Sequence, residues 1–310
     1  MRQAIALLIT LFFIMAITVV IGIGLKSIKD ASFSVEREHF TIESRTLLDD
    51  VMKILKESKE LELIATSNDL AIKREAFFIF LAQSAFIPFE SSGVKVLLEI
   101  SSARSKLNIN NFLDSNTTIM QNRVNALNLY FNEYGINEEY VKILLDGMSK
   151  VKADMTYNSD IFSDNPYLFR DYIASQKHFD EFNDFYKRTY RENTLAKVDF
   201  KNIFYFSKDR EKYKIDVNYM TPEAWRVVLG CMQDRAEQLS QGAGAYEKFE
   251  DLLLNDDEML AIENFGKSYF SFFEPYIDVK VEIIKENQNA NIRFEYNMKE
   301  KKGSNFVYEI

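Results

Sequence analysis

The chain has 310 residues, with 38 Lys and Arg against 47 Asp and Glu and a formal net charge of −9. An acid-rich chain is poorly matched to a phosphate backbone, which is bound by Lys and Arg displacing counterions, so nucleic acid is disfavoured as a partner. A lone cysteine, Cys231, excludes an intrachain disulfide and reads as a small buried apolar residue.

From Ile5 to Leu25 the chain is uncharged and consists almost wholly of Ile, Leu, Val, Phe, Ala and Met. As a helix this run reaches roughly 30 Å, the thickness of bilayer hydrocarbon. It exceeds the apolar region of about 7–15 residues of a cleaved secretory signal. A membrane helix is therefore the reading it favours over a signal peptide or a buried core helix. Arg2 on one side and Lys26 and Lys29 on the other leave the charge bias for orientation weak.

Beyond the run, Phe33, Phe40, Leu47, Leu48, Val51, Ile54 and Leu55 recur at helical spacing among polar residues. One helix from about Ile5 to about Lys59 is predicted, roughly 80 Å long. Leu61 to Thr66 reads as a short strand, and Ala71 to Phe86 admits strand, helix or both. Ser91-Ser92-Gly93 is a turn signal, and Val94 to Ile100 alternates as a half-buried strand.

From about Asn116 to Gln241 the pattern is helical. Val124, Leu127, Tyr130 and Phe131 share a face, Gly135 ends that helix, and Asn137 caps the next. Phe179, Phe182, Phe185 and Tyr186 mark another helix. Thr221-Pro222-Glu223 opens a further one, with Thr as N-cap and Pro at the first position. Strands return at Tyr269–Phe273, Tyr276–Ile284, Ile292–Met298 and Phe306–Ile310. The class is α+β: a long N-terminal helix, a few strands, a helical insertion and an antiparallel meander.

No catalytic motif stands out. His39 and His178 lack HExxH, CxxC or a nucleophile elbow around them, and no P-loop or GxGxxG occurs. Acidic pairs such as Glu138-Glu139 and Asp256-Asp257 read as solvated faces. The chain is not expected to be an enzyme.

The N-terminus, Arg2-Gln3-Ala4 followed by Ile5 to Leu11, resembles the class III signal of type IV pilins and type II secretion pseudopilins. Two internal stretches sharpen the likeness. Lys106-Leu107-Asn108-Ile109-Asn110-Asn111-Phe112 follows a strand, and Ile215-Asp216-Val217-Asn218 leads into Thr221-Pro222. Both are similar to Asn-rich turns of the large K-type minor pseudopilins. Asp216 stands where the family usually has the first Asn of its second turn, and Ser105 replaces a glycine before the first turn. The Ser268-Tyr269-Phe270 entry into a terminal meander also fits.

The resemblance implies a layout of class III leader (1–4), transmembrane helix (5–25), amphipathic continuation (26–60), first part of a pilin-like head with antiparallel sheet (61–112), large inserted α-helical SAM-like domain (113–266) and C-terminal β-meander (267–310). A prepilin peptidase would cut between Ala4 and Ile5. Ile9 would occupy the fifth mature position, where most pilins carry Glu. The chain would be held in the inner membrane with its body in the periplasm, and its partners would be other minor pseudopilins. Asn108, Asn110, Asp216, Asn218 and Pro222 would be fold determinants, since short polar side chains hold turns and cap helices. No cofactor is required. Calcium is a candidate ligand through Asp146, Asp154, Asp160 and Asp164, although Lys150 and Lys152 interrupt the acidic run. Two rival functions remain open: a membrane-anchored periplasmic binding module, and a DNA-uptake adaptor.

Overall fold

In the computed structural model the described residues are 35–91, 93–152, 154, 156–286 and 288–309. The leader, Ala4, Ile5, Ile9 and the apolar run 5–25 lie outside them. Among the described residues, no helix is long and apolar enough to cross a membrane.

Helix α1 (described over 35–57) buries Phe40, Ser44, Leu48, Val51 and Leu55, a stripe at spacings of three and four. It does not run on to Lys59. Ser58 is extended, and its Oγ accepts from the Leu61 N–H at 3.2 Å, starting α2 (Lys59–Thr66). The strand expected at Leu61–Thr66 is thus a helix. Leu61 and Ile64, three apart, are the buried pair, and the apparent alternation of Leu61-Glu62-Leu63 is incidental. Asp69 caps α3 (Leu70–Ser84) by accepting from Ala71 N–H at 2.8 Å. The ambiguous Ala71–Phe86 stretch resolves into this helix, followed after Ala85 by β1 (Phe86–Ser91).

β2 (Val94–Ser102) alternates as predicted, burying Val94, Val96, Leu98 and Ile100. The chain then leaves the sheet and returns in β7 (Tyr276–Lys285), β8 (Gln288–Asn297) and β9 (Lys302–Glu309). The order β1-β2-β7-β8-β9 is antiparallel throughout, with Val94 opposite Lys285 and Tyr276 opposite Asn297. The inward residues of β7 and β8, including Val279, Val281, Ile292 and Phe294, form one core with the α1 stripe and with Phe77 of α3.

The excursion from Ala103 to Phe270 has its own core. It holds two-residue strands β3 (Leu107–Asn108), β4 (Phe204–Tyr205), β5 (Ile215–Asp216) and β6 (Phe270–Ser271), and helices α4 (Gln121–Glu133), α5 (Glu139–Met148), α6 (Ile161–Asp164), α7 (Gln176–Tyr190), α8 (Phe200–Ile203), α9 (Pro222–Leu229), α10 (Gln233–Ser240) and α11 (Asp256–Phe265). Helix α9 is the hub: it packs on α4, α8, α10 and α11 and carries the fully buried Trp225. The β-rich run at Tyr269–Phe273 yields only β6. That strand pairs with β5 inside this excursion and not with the five-stranded sheet.

Candidate functional site

Two turns with matching wiring open the two halves of the helical excursion. In the first, β3 pairs in parallel with β4. The Asn108 Oδ1 accepts from Asn110 N–H at 3.3 Å and Ser207 N–H at 3.1 Å. Asn110 donates through Nδ2 to the carbonyls of Ile173 (3.0 Å) and Ser207 (2.9 Å), and its Oδ1 accepts from Ile173 N–H at 2.8 Å. In the second, β5 pairs in parallel with β6. Asp216 accepts from Asn218 N–H at 3.1 Å and Glu274 N–H at 3.0 Å. Asn218 donates to the carbonyls of Tyr246 and Phe272, both at 3.0 Å, and accepts from Tyr246 N–H at 2.8 Å.

An amide side chain has a donor end and an acceptor end, so one Asn can tie three backbone groups of a distant loop. All four of these side chains are essentially fully buried. The turns are also joined to each other: Asp216 N–H donates to Arg104 O and Thr221 N–H to Ser105 O. Thr221 Oγ1 caps α9, and Pro222 occupies its first position, where a missing N–H costs nothing.

Asp216 differs from its counterpart Asn108 in carrying a titratable group. Burial pushes its carboxyl up to about 7, against the pull of the two backbone donors, and the nearby Glu274 carboxyl pushes the same way. Glu274 is itself raised by burial. Asp216 forms no ion pair among the described residues.

The excursion is fastened to the sheet beside these turns. Arg104 and Glu295 of β8 form a buried two-pronged pair at 2.6 and 2.9 Å. The guanidinium lies over the ring of Tyr276 at 3.8 Å and that of Tyr213 at 4.4 Å. Burial alone would lower Arg104, but the Glu295 carboxylate overrides it and holds the guanidinium above its ordinary value. Arg293 pairs with Asp278 alongside. On the far side, Arg74 of α3 pairs with Glu247, and the Phe77 ring meets Tyr219 and Phe273 edge-on at 5.2 and 5.9 Å. Next to the Arg104–Glu295 pair opens a cleft of about 780 Å³ between the Ser207–Tyr213 loop and the β8–β9 hairpin. Its lining mixes Lys208, Lys212 and Lys302 with Asp171, Glu211 and Glu300, so it has no single sign of charge.

The four aspartates named for calcium are not brought together. Asp146 is fully buried, and its two oxygens accept from the backbone and side chains of Asn158 and Ser159 at 2.7–3.0 Å. Asp154 accepts from Thr156 N–H, and Asp160 and Asp164 lie at the two ends of α6. Among the described residues no group of three or more His, Cys, Asp or Glu is placed to hold a metal ion.

His178 sits within α7 with Nδ1 accepting from Ala174 N–H and Nε2 against Phe169 O, lowered by burial. His39 lies on α1 near Glu43. Cys231 is half-buried and unpaired.

Sequence reasoning missed the Arg104–Glu295 fastening, because a pair 191 residues apart leaves no periodic signal. It also said nothing of Ile72 and Ile79, apolar residues of α3 that stay exposed.

No family model matches the chain, and no curated protein does either. Among solved structures it is similar to a chain of the GspK-GspI-GspJ complex from the type 2 secretion system of enterotoxigenic Escherichia coli. The TM-score is 0.53 and the identity 12%, covering 88% of this chain and 97% of that one. The identity is low, and what the two share is a pseudopilin-like fold, mixed α and β with an antiparallel sheet.

Proposed function

We propose that the chain is a minor pseudopilin of the K type, serving a type II secretion, competence or pilus-like machine as a tip or initiating subunit. The observation that carries this is the fold likeness across nearly the whole of both chains, which a chance local match would not produce. The apolar run after Ala4 supports it from the sequence side. On this reading the run 5–25 anchors the subunit in the inner membrane, a prepilin peptidase cuts after Ala4, and the body stands in the periplasm. The neutral Ile9 leaves no carboxylate to pair with a neighbour's N-terminal amine. The helical excursion adds bulk to the head and hinders a further subunit above it. Its work is packing and assembly with other minor pseudopilins, with no catalysis and no required cofactor.

The test is the mature N-terminus, read by mass spectrometry of membrane-extracted protein with and without the prepilin peptidase. A peptidase-dependent start at Ile5 is expected. An intact Met1 in both samples would overturn the reading in favour of a static membrane-anchored binding module.

A further inference from the structure

Asn116-Thr117-Thr118 is the one Asn-x-Ser/Thr triplet in the chain, and its middle residue is not proline. A triplet of this kind is an acceptor for N-linked glycosylation: the asparagine amide takes the sugar, and the hydroxyl two residues on marks it for the enzyme. It can be used only where an enzyme can reach it, so its place in the fold decides the matter.

The triplet sits at the tip of a tight turn before α4. Leu113 and Ile119 face each other in an antiparallel bridge, and the buried Leu113 roots the turn in the core of the helical excursion. Asp114 N–H donates to Thr118 O at 2.9 Å, and Thr117 N–H donates to Asp114 O at 3.0 Å. The Asp114 Oδ1 reaches across the turn and accepts from Asn116 N–H at 2.9 Å and from Thr118 N–H at 2.7 Å. Thr117 is held left-handed at φ 66°, a region that β-branched residues rarely adopt. A left-handed residue at the end of the turn is what lets so short a loop reverse the chain. The turn thus uses the backbone of the triplet but not the side-chain ends that matter to a transferase. Asn116 and Thr118 are exposed, and among the described residues neither the Asn116 amide nor the Thr118 hydroxyl makes a hydrogen bond. Asn108, Asn110 and Asn218 are the opposite case, buried with both ends of the amide engaged. Their amides hold the fold together, whereas that of Asn116 holds nothing.

We propose that Asn116 is a glycosylation site, which takes an oligosaccharide from a lipid pyrophosphate donor through a membrane oligosaccharyltransferase. The inference rests on the periplasmic placement of the body proposed above. The Asn116 Nδ2 bonds to the anomeric carbon of the sugar as the bond from that carbon to the phosphate oxygen breaks. The lipid pyrophosphate leaves with the electron pair, and one amide proton passes to solvent. The Thr118 hydroxyl offers the enzyme both a donor and an acceptor.

The test takes the full-length protein from its native membranes, digests it with trypsin, and weighs and fragments the peptide 107–123, which carries Asn116. Expected is a peptide heavier than its sequence by a sum of sugar residues, with sugar ions on fragmentation. N116Q and T118V should each abolish the added mass, and T118S should keep it. None of the three should move the urea midpoint, because both side chains are exposed and unbonded. An unmodified peptide, or a sugar that survives N116Q or T118V, overturns the proposal. The N-terminus read from the same protein separates this failure from that of the function. An Ile5 start with a bare Asn116 removes the site and leaves the pseudopilin reading standing. A Met1 start with a sugar on Asn116 keeps the site and removes the pseudopilin reading.

Discussion

Asp216→Asn should change how stability depends on pH. The carboxyl is fully buried, lacks an ion pair among the described residues, and is raised from 3.8 to about 7. A raised folded-state value means the protonated form is the one the fold accommodates. The resulting stabilisation is fully present below pH 3.8 and is lost as pH rises through about 7. The whole shift corresponds to about 4 kcal/mol, of which about 3 kcal/mol falls between pH 5 and pH 8. Asparagine cannot ionise, and Asn108 shows that one amide oxygen can accept from two backbone N–H groups in the matching first turn. The variant should therefore lose about 3 kcal/mol less than the parent on going from pH 5 to pH 8. Urea unfolding of the detergent-extracted protein, followed by fluorescence of the single, fully buried Trp225, reads the module that Asp216 holds. Titrations remote from the site cancel in the comparison, whereas Glu274, whose charge acts on Asp216, shifts with the substitution. A constant difference between variant and parent at pH 5 and pH 8 would show that Asp216 is ionised in the fold, and the reasoning would fail.

Two further outcomes follow from the same junction. Arg104→Met leaves Glu295 buried and unpaired and should cost about 3–5 kcal/mol in urea unfolding, whereas Arg104→Met with Glu295→Leu should recover most of that. A double variant no better than the single would mean the pair is not what fastens the excursion to the sheet. Asn110→Ala strands the N–H of Ile173 and the carbonyls of Ile173 and Ser207, and should cost about 2–4 kcal/mol. Faster hydrogen exchange at the Ile173 amide is the local sign, and unchanged exchange there would count against the wiring described.

Where burial follows a local period, the residues themselves announce the structure. The α1 stripe, the alternation of β2, β7 and β8, and the Thr221-Pro222 start of α9 are all written in neighbours three, four or two apart, because one face of each element must meet the core. The two Asn turns were visible for a similar reason: a short polar side chain first satisfies its own backbone. What those side chains grip was not visible, since Ile173, Ser207, Tyr246 and Phe272 come close only when the excursion closes on itself. The same limit hid Arg104 and Glu295. Leu61–Thr66 looked like a strand for a local reason, because the cap that Ser58 gives the Leu61 N–H, and with it a helix start, was passed over. It also governs the metal question. Four aspartates near one another in the chain suggest a site, but the fold spends the Asp146 carboxylate on Asn158 and Ser159, and among the described residues no three such groups gather. Local sequence determined the elements and their inward faces. Only tertiary structure decided which polar groups meet and which apolar side chains stay exposed, because both depend on residues far apart in the chain.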